Sequence, residues 1–197
     1  MDRLVPCMRL IVAITGASGV IYGKRFLEAL KEKNVETHLI ISKAGEKMLQ
    51  YELGVARRDL ERLASHVYDE DLLTAPIASG SFITDGMAII PCSMKTVAGI
   101  AHGYSENLIL RAADVTLKEK RKLVIVPRET PLNAIHLRNL LELAMQGVAV
   151  IPAMPAFYHK PEKIEDLVDF IVGKVLDTLG IEHNLFKRWS APTAEEK

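Results

Sequence analysis

The chain has 197 residues, 49% of them hydrophobic, and Lys plus Arg equal Asp plus Glu at 25 each. That length supports one sizeable core and leaves little for a second unit of ordinary size, so a single domain over 1–197 is expected, with its core in 9–189. The balanced charge excludes a global field that would favour nucleic acid or an anionic membrane, and any anion site must be local. Cys7 and Cys92 form no C-x-x-C pair, which predicts a reducing, cytoplasmic setting rather than a disulfide scaffold. The first apolar run is broken by Gly16 and Gly19, so neither a signal peptide nor a membrane span is expected there. Residues 1–7 read as a short extension and "SAPTAEEK", 190–197, as a mobile tail.

In chain order, "RLIVAIT" predicts a strand followed by a helix to about Lys33. "ETHLIIS" predicts a second strand and a helix through Leu49, and a polar mid-section follows. "GMAIIP" gives a strand, then helices from Thr96 to Lys120, the strand "KLVIVP", a helix over 132–146, the strand "VAVIP", and a last helix ending at Gly180. Apolar runs buried on both faces and separated by helices are the pattern of a parallel α/β sheet. Ligands of such sheets bind at the carboxyl ends of the strands, so the turns there carry the functional reading.

The first turn, "TGASG" (15–19), places glycines and free N–H groups at a helix start, where an anion is favoured. A tight turn with Ser18 as N-cap explains it equally. Two phosphate patterns fail. No Lys-Ser or Lys-Thr follows at Walker spacing, and the run lacks G-x-G-x-x-G because Ala17 separates Gly16 from Ser18. The second strand ends at Ser42-Lys43, where a dinucleotide site would place a carboxylate for the ribose. This favours a mononucleotide.

"CSMKT" (92–96) offers a second polar cradle, with capping by Ser93 or Thr96 as its bland explanation and Cys92 read as a buried small residue. On "ENLILRAADVTLKEKR", Arg111, Asp114 and Lys118 share one helix face. Arg128 and Glu129 in "PRETP" stand where α/β enzymes keep ligand-binding groups. Prolines stiffen "AMPAFYHKP", which carries Tyr158. Lys174 projects from the apolar stripe that contains Leu167, Phe170 and Ile171, so it must snorkel or meet an anion. "ASGSF" (78–82) suits either close approach to a flat ligand or a flexible turn. The six histidines show no metal spacing, and no metal is expected.

Together and in this order, "TGASG", "ASGSF", "PCSMKT", "RAADVTLKE", "PRETPLNAIHL", "PAFYHKP" and the closing "KRW" resemble the flavin prenyltransferases of UbiX/Pad type, over Arg9 to Trp189. The resemblance implies a flavodoxin-like or Rossmann-like fold, its parallel sheet flanked by helices, and metal-independent transfer of a dimethylallyl unit from dimethylallyl phosphate to N5 and C6 of reduced FMN. Prenylated FMN, the product, would go to a UbiD-type decarboxylase. Carried over by position, FMN contacts fall on Gly16, Ala17, Ser18, Ser42, Ser93, Met94, Lys95, Thr96 and Arg128. Substrate-phosphate contacts fall on Lys118, Arg128, Tyr158 and Lys174, with Arg111 close by.

Glu52 and Glu129 match the family's acidic site positions and, with Lys118, are the implied catalytic groups. The family often has Arg where this chain has Lys174, which exchanges a bidentate fork for a point charge. The resemblance also implies a homo-oligomer, trimeric or dodecameric, without nucleic-acid or membrane partners. Two rival readings are a non-enzymatic FMN carrier serving a decarboxylase and a flavin-dependent cysteine decarboxylase. The latter's P-x-M-N-x-x-M-type segment has no counterpart here, where "PAMPAFYHKP" stands in its place.

Overall fold

The computed structural model describes residues 8–189, so the predicted extension and tail lie outside the described residues. The chain runs β1 (Arg9–Ile14), α1 (Val20–Glu32), β2 (Glu36–Ile41), α2 (Lys43–Leu53), α3 (Arg57–Glu61), β3 (His66–Tyr68), a 3₁₀ turn (Pro76–Ala78), β4 (Gly86–Cys92), α4 (Met94–Ala101), α5 (Leu108–Lys118), β5 (Lys122–Pro127), α6 (Ala134–Met145), β6 (Ala149–Val150) and α7 (Ile164–Leu179). The strands form one six-stranded parallel sheet in the order β3-β2-β1-β4-β5-β6. This is the doubly wound order whose switch point lies between the first and fourth strands.

The near-continuous apolar strands follow from burial on both faces. Leu10, Val12, Ile14, Leu39 and Ile41 face one layer, covered by α1, α2 and α7. Ile11, Ala13 and Ile40 face the other, with α4, α5 and Leu143 of α6. Because alternate residues feed opposite layers, a one-residue slip would exchange the two cores.

The predicted elements are present, with three differences. The polar mid-section contains α3 and the edge strand β3, which pairs on one side only. The helices expected over 96–120 are present with shifted bounds, Met94–Ala101 and Leu108–Lys118, and Gly103 at φ +65° lies between them. "VAVIP" contributes just Ala149–Val150 to the sheet. Helix α6 buries only Asn139 and Leu143 and leaves Ile135, Leu137, Leu141 and Met145 exposed. Among the described residues no helix is long and apolar enough to cross a membrane.

Candidate functional site

At the switch point the turns after β1 and β4 meet. Thr15 is 2% exposed, and its hydroxyl joins them, donating to the Pro91 carbonyl at 2.9 Å while accepting from the Ser93 N–H at 2.8 Å. The sequence reading passed over this residue because its role depends on a partner 78 positions away. Gly16 lies against the start of α2, where a Cβ would come within 2.5 Å of the Ala44 Cβ. The chain leaves the turn through Gly19 at φ +97°, a conformation that favours glycine.

Three helices begin around this point, and each start is capped differently. The N-cap of α1 is Gly19, not Ser18, and it has no side-chain cap of its own. Instead the Glu52 carboxylate, from the far end of α2, accepts the Gly19 N–H at 2.8 Å and the Val20 N–H at 3.1 Å. A resident anion therefore holds the first-turn amides. Ser42 caps α2 by accepting the Gly45 N–H at 3.0 Å, and the Glu70 carboxylate accepts the Lys43 N–H at 2.8 Å. Ser93 caps α4 through the Thr96 N–H at 3.3 Å, and the Ser93 and Thr96 hydroxyls lie 3.0 Å apart. Among the described residues no carboxylate is hydrogen-bonded at the start of α4.

A cavity of about 440 Å³ lies between these turns. Its lining includes Gly16, Ser42, Ser93, Lys95 and Thr96 from the sequence reading, and Glu70 and Asn107 in addition. The volume is that of a small-molecule site, and its exposed Lys95, hydroxyls and α4 start suit a phosphate monoester. Ala17 and Met94 are buried beside it. Arg128, just past β5, donates from Nε to the Ser18 carbonyl at 3.3 Å, which brings its guanidinium to the first turn. Glu129 accepts the Thr130 N–H at 3.0 Å in the same turn. Burial pushes the Cys92 thiol up, so a thiolate nucleophile is disfavoured there.

The remaining expected residues fall into two other places. Tyr158 stands edge-on to Phe170 at 5.9 Å and to Trp189 at 5.3 Å between ring centres. Lys174 is exposed one turn beyond Phe170 on α7. The chain after α7 is tied back by Asp177, which accepts from Arg188 at 2.7 Å and pairs with His183 at 3.2 Å. The Arg188 hydrogen bond leads the causes that hold the Asp177 carboxyl below its usual range. This tie keeps Trp189 beside Tyr158.

Arg111 and Lys118 lie on α5, on the opposite face of the sheet from α7. Arg111 pairs with Asp114 at 2.8 Å, as the helix-face spacing predicts, and Lys118 pairs with Glu119. Lys118 precedes β5 and Arg128 follows it, so a strand of six residues, about 20 Å, separates them. Within one protomer, Lys118 and Lys174 therefore do not converge.

The "ASGSF" loop has its carbonyls engaged by three arginines: Arg111 on Ala78 at 3.1 Å, Arg121 on Gly80 at 2.6 Å and Phe82 at 2.8 Å, and Arg9 on neighbouring Ile83 at 3.1 Å. It packs beside Lys118 and Glu119 rather than lining the cavity.

Strand pairing also gathers Glu36, His38 and His66, which linear spacing does not reveal. Arg9 Nε already lies 2.9 Å from Glu36, and the two imidazoles stack at 4.6 Å with 21° between planes. Near-parallel rings aim their lone pairs side by side rather than at one ion about 2 Å away, so this cluster is a poor cation site. Burial is the leading cause that lowers the His38 pKa, and neighbouring His66 adds to it against the pull of Glu36.

Known proteins similar to this chain share its fold. The Flavoprotein family matches residues 3–176. A relative from Methanocaldococcus jannaschii, named flavin prenyltransferase UbiX, is 52% identical over 182 residues, 92% of this chain and 98% of its own. The solved structure of a dodecameric FMN-dependent UbiX-like decarboxylase from Escherichia coli O157:H7 is 51% identical, with a TM-score of 0.92 over 93% of this chain and all of that one. A UbiX structure in complex with FMN and dimethylallyl pyrophosphate is 46% identical, with a TM-score of 0.93 over 95% of this chain and all of that one.

Proposed function

We infer, because this chain belongs to the UbiX family of flavin prenyltransferases, that it transfers a dimethylallyl group from dimethylallyl phosphate to N5 and C6 of reduced FMN. The observation that carries the site assignment is the cradle at the switch point. There Ser93, Thr96 and Lys95 surround a start of α4 to which no carboxylate of the described residues is hydrogen-bonded, while Arg128 reaches the first turn. With the α1 amides held by Glu52, we assign the FMN phosphate to the α4 side of the cavity.

Reduced flavin supplies an electron-rich N5 and C6 as the acceptor. The chain's part is to bind the leaving phosphate with fixed positive charge and to accept the proton lost from C6. Arg128 serves the first purpose, with Tyr158 adding a hydroxyl and Lys174 a charge. Glu129, beside Arg128, is the candidate proton acceptor. Glu52 positions the turn at 16–19 through its two backbone contacts.

Arg111 and Lys118 reach such a site only across a subunit boundary, since they stand on the other face of the sheet. The dodecameric relative supports assembly, and the exposed apolar face of α6 gives it a surface. We assign the product to a UbiD-type decarboxylase in the cytoplasm. The names of the relatives favour transfer over simple FMN carriage or cysteine decarboxylation.

The test is anaerobic mixing of the full chain with reduced FMN and dimethylallyl phosphate, or the pyrophosphate in a parallel arm, followed by mass spectrometry of the flavin. A gain of one C5H8 unit is expected. Unmodified flavin with both partners bound would overturn the reading.

A further inference from the structure

One wall of the cavity carries a residue of the polar mid-section. Glu70, in the loop after β3, accepts the Lys43 N–H through Oε1 at 2.8 Å and the Asn107 side-chain amide through Oε2 at 3.2 Å. Its carbonyl accepts the Leu108 N–H at 2.7 Å. One residue thus joins the starts of α2 and α5 in the cavity wall that also carries Ser42. Of the two lysines that line the cavity, Lys43 has its ammonium paired with Asp71 at 2.5 Å, which offsets its charge beside Glu70.

A dinucleotide on a sheet of this order lays its pyrophosphate on the amides after the first strand and its second nucleoside past the end of the second strand. Here both places are taken by carboxylates: Glu52 sits on the Gly19 and Val20 amides, and Glu70 sits at the Lys43 amide just past Ser42.

We propose that Glu70, clamped between Lys43 and Asn107, is the residue that restricts this site to a flavin mononucleotide, by closing the path a second nucleotide would follow and by facing its phosphate with a carboxylate. With its phosphate at the start of α4, as assigned above, FMN ends before this wall, whereas a flavin dinucleotide carries a second phosphate and nucleoside that would have to pass it. Selection by repulsion of the longer ligand needs no extra contact to the shorter one. The inference rests on the FMN reading above and adds a specificity determinant to it.

The experiment is calorimetric titration of the full chain with FMN and with FAD, in wild type, Glu70→Gln and Glu70→Ala. The glutamine keeps an oxygen for the Lys43 amide and removes the charge. Wild type is expected to prefer FMN by about 100-fold or more, and Glu70→Gln to reduce that ratio by about tenfold, with Glu70→Ala at least as much. Should the alanine variant not fold, the glutamine variant alone decides. Equal affinity of wild type for the two flavins, or an unchanged ratio in folded Glu70→Gln, overturns the proposal. Wild type that binds neither flavin overturns the FMN reading and this proposal together; FMN binding without prenyl transfer overturns only the assigned reaction.

Discussion

Replacing Glu52 with alanine removes the acceptor for two N–H groups at the positive end of a 13-residue helix. Losing an N-cap acceptor costs about 0.5–2 kcal/mol, and losing a negative charge beside the helix start adds about 0.3–1 kcal/mol. A combined loss of about 2 kcal/mol corresponds, with a urea slope of about 2 kcal/mol/M, to a midpoint lower by about 1 M. In a heating experiment on a chain of this size it corresponds to about 4–8 °C. Glu52→Gln keeps an accepting oxygen and loses only the charge, so its shift is about half as large. The assay is urea unfolding followed by far-UV circular dichroism, without flavin and at one fixed protein concentration. An alanine variant whose midpoint stays within about 0.2 M of wild type would refute the capping role and leave Glu52 with a part in the chemistry alone.

Thr15→Val leaves the part-buried Ser93 N–H without its acceptor. It is expected to cost about 1–3 kcal/mol in the same unfolding assay and to weaken FMN binding by loosening both turns. His38 is faced by Glu36, His66, Arg9, Tyr68 and Phe82. Its folded pKa is depressed, so the unfolded chain binds more protons as pH falls below about 6.5. Wild-type stability is therefore full above that value and declines through pH 6 towards the lowered folded pKa. His38→Asn should flatten this slope in urea midpoints taken between pH 7.5 and 5. Lys118→Ala and Arg128→Ala are each expected to lower turnover by about 10²-fold or more, whereas mixed oligomers of the two recover activity because one intact site can form across a boundary. No recovery on mixing would place Lys118 outside the site. Lys174→Arg restores a planar fork to a single phosphate-facing charge and is expected to lower KM for dimethylallyl phosphate with little change in kcat.

The central strands were legible because each is a continuous apolar run, and a strand buried on both faces offers no other pattern. β3 was not, since His66–Tyr68 has three residues, two of them exposed, and pairs on one edge alone. Caps made by a neighbour in sequence, such as Ser93 for α4, were readable from spacing. The cap of α1 was not, because Glu52 acts across 33 residues and displaces Ser18 from the role its chemistry suggests. Helical spacing correctly paired Arg111 with Asp114 but could not say which face of the sheet α5 covers. That single unknown separates Lys118 from Lys174. Strand order likewise brings Glu36, His38 and His66 together without any local signature.

Trp189 is the sole tryptophan of the sequence, 71% exposed, and it stands beside Tyr158. Excited at the red edge of the indole band, where the five tyrosines scarcely absorb, the protein therefore emits from one indole next to an expected phosphate contact. A flavin absorbs where indole emits, so occupancy of the cavity is reported by quenching at this position, without a label and without turnover. Asp177, by tying back Arg188 and His183, keeps that indole in place.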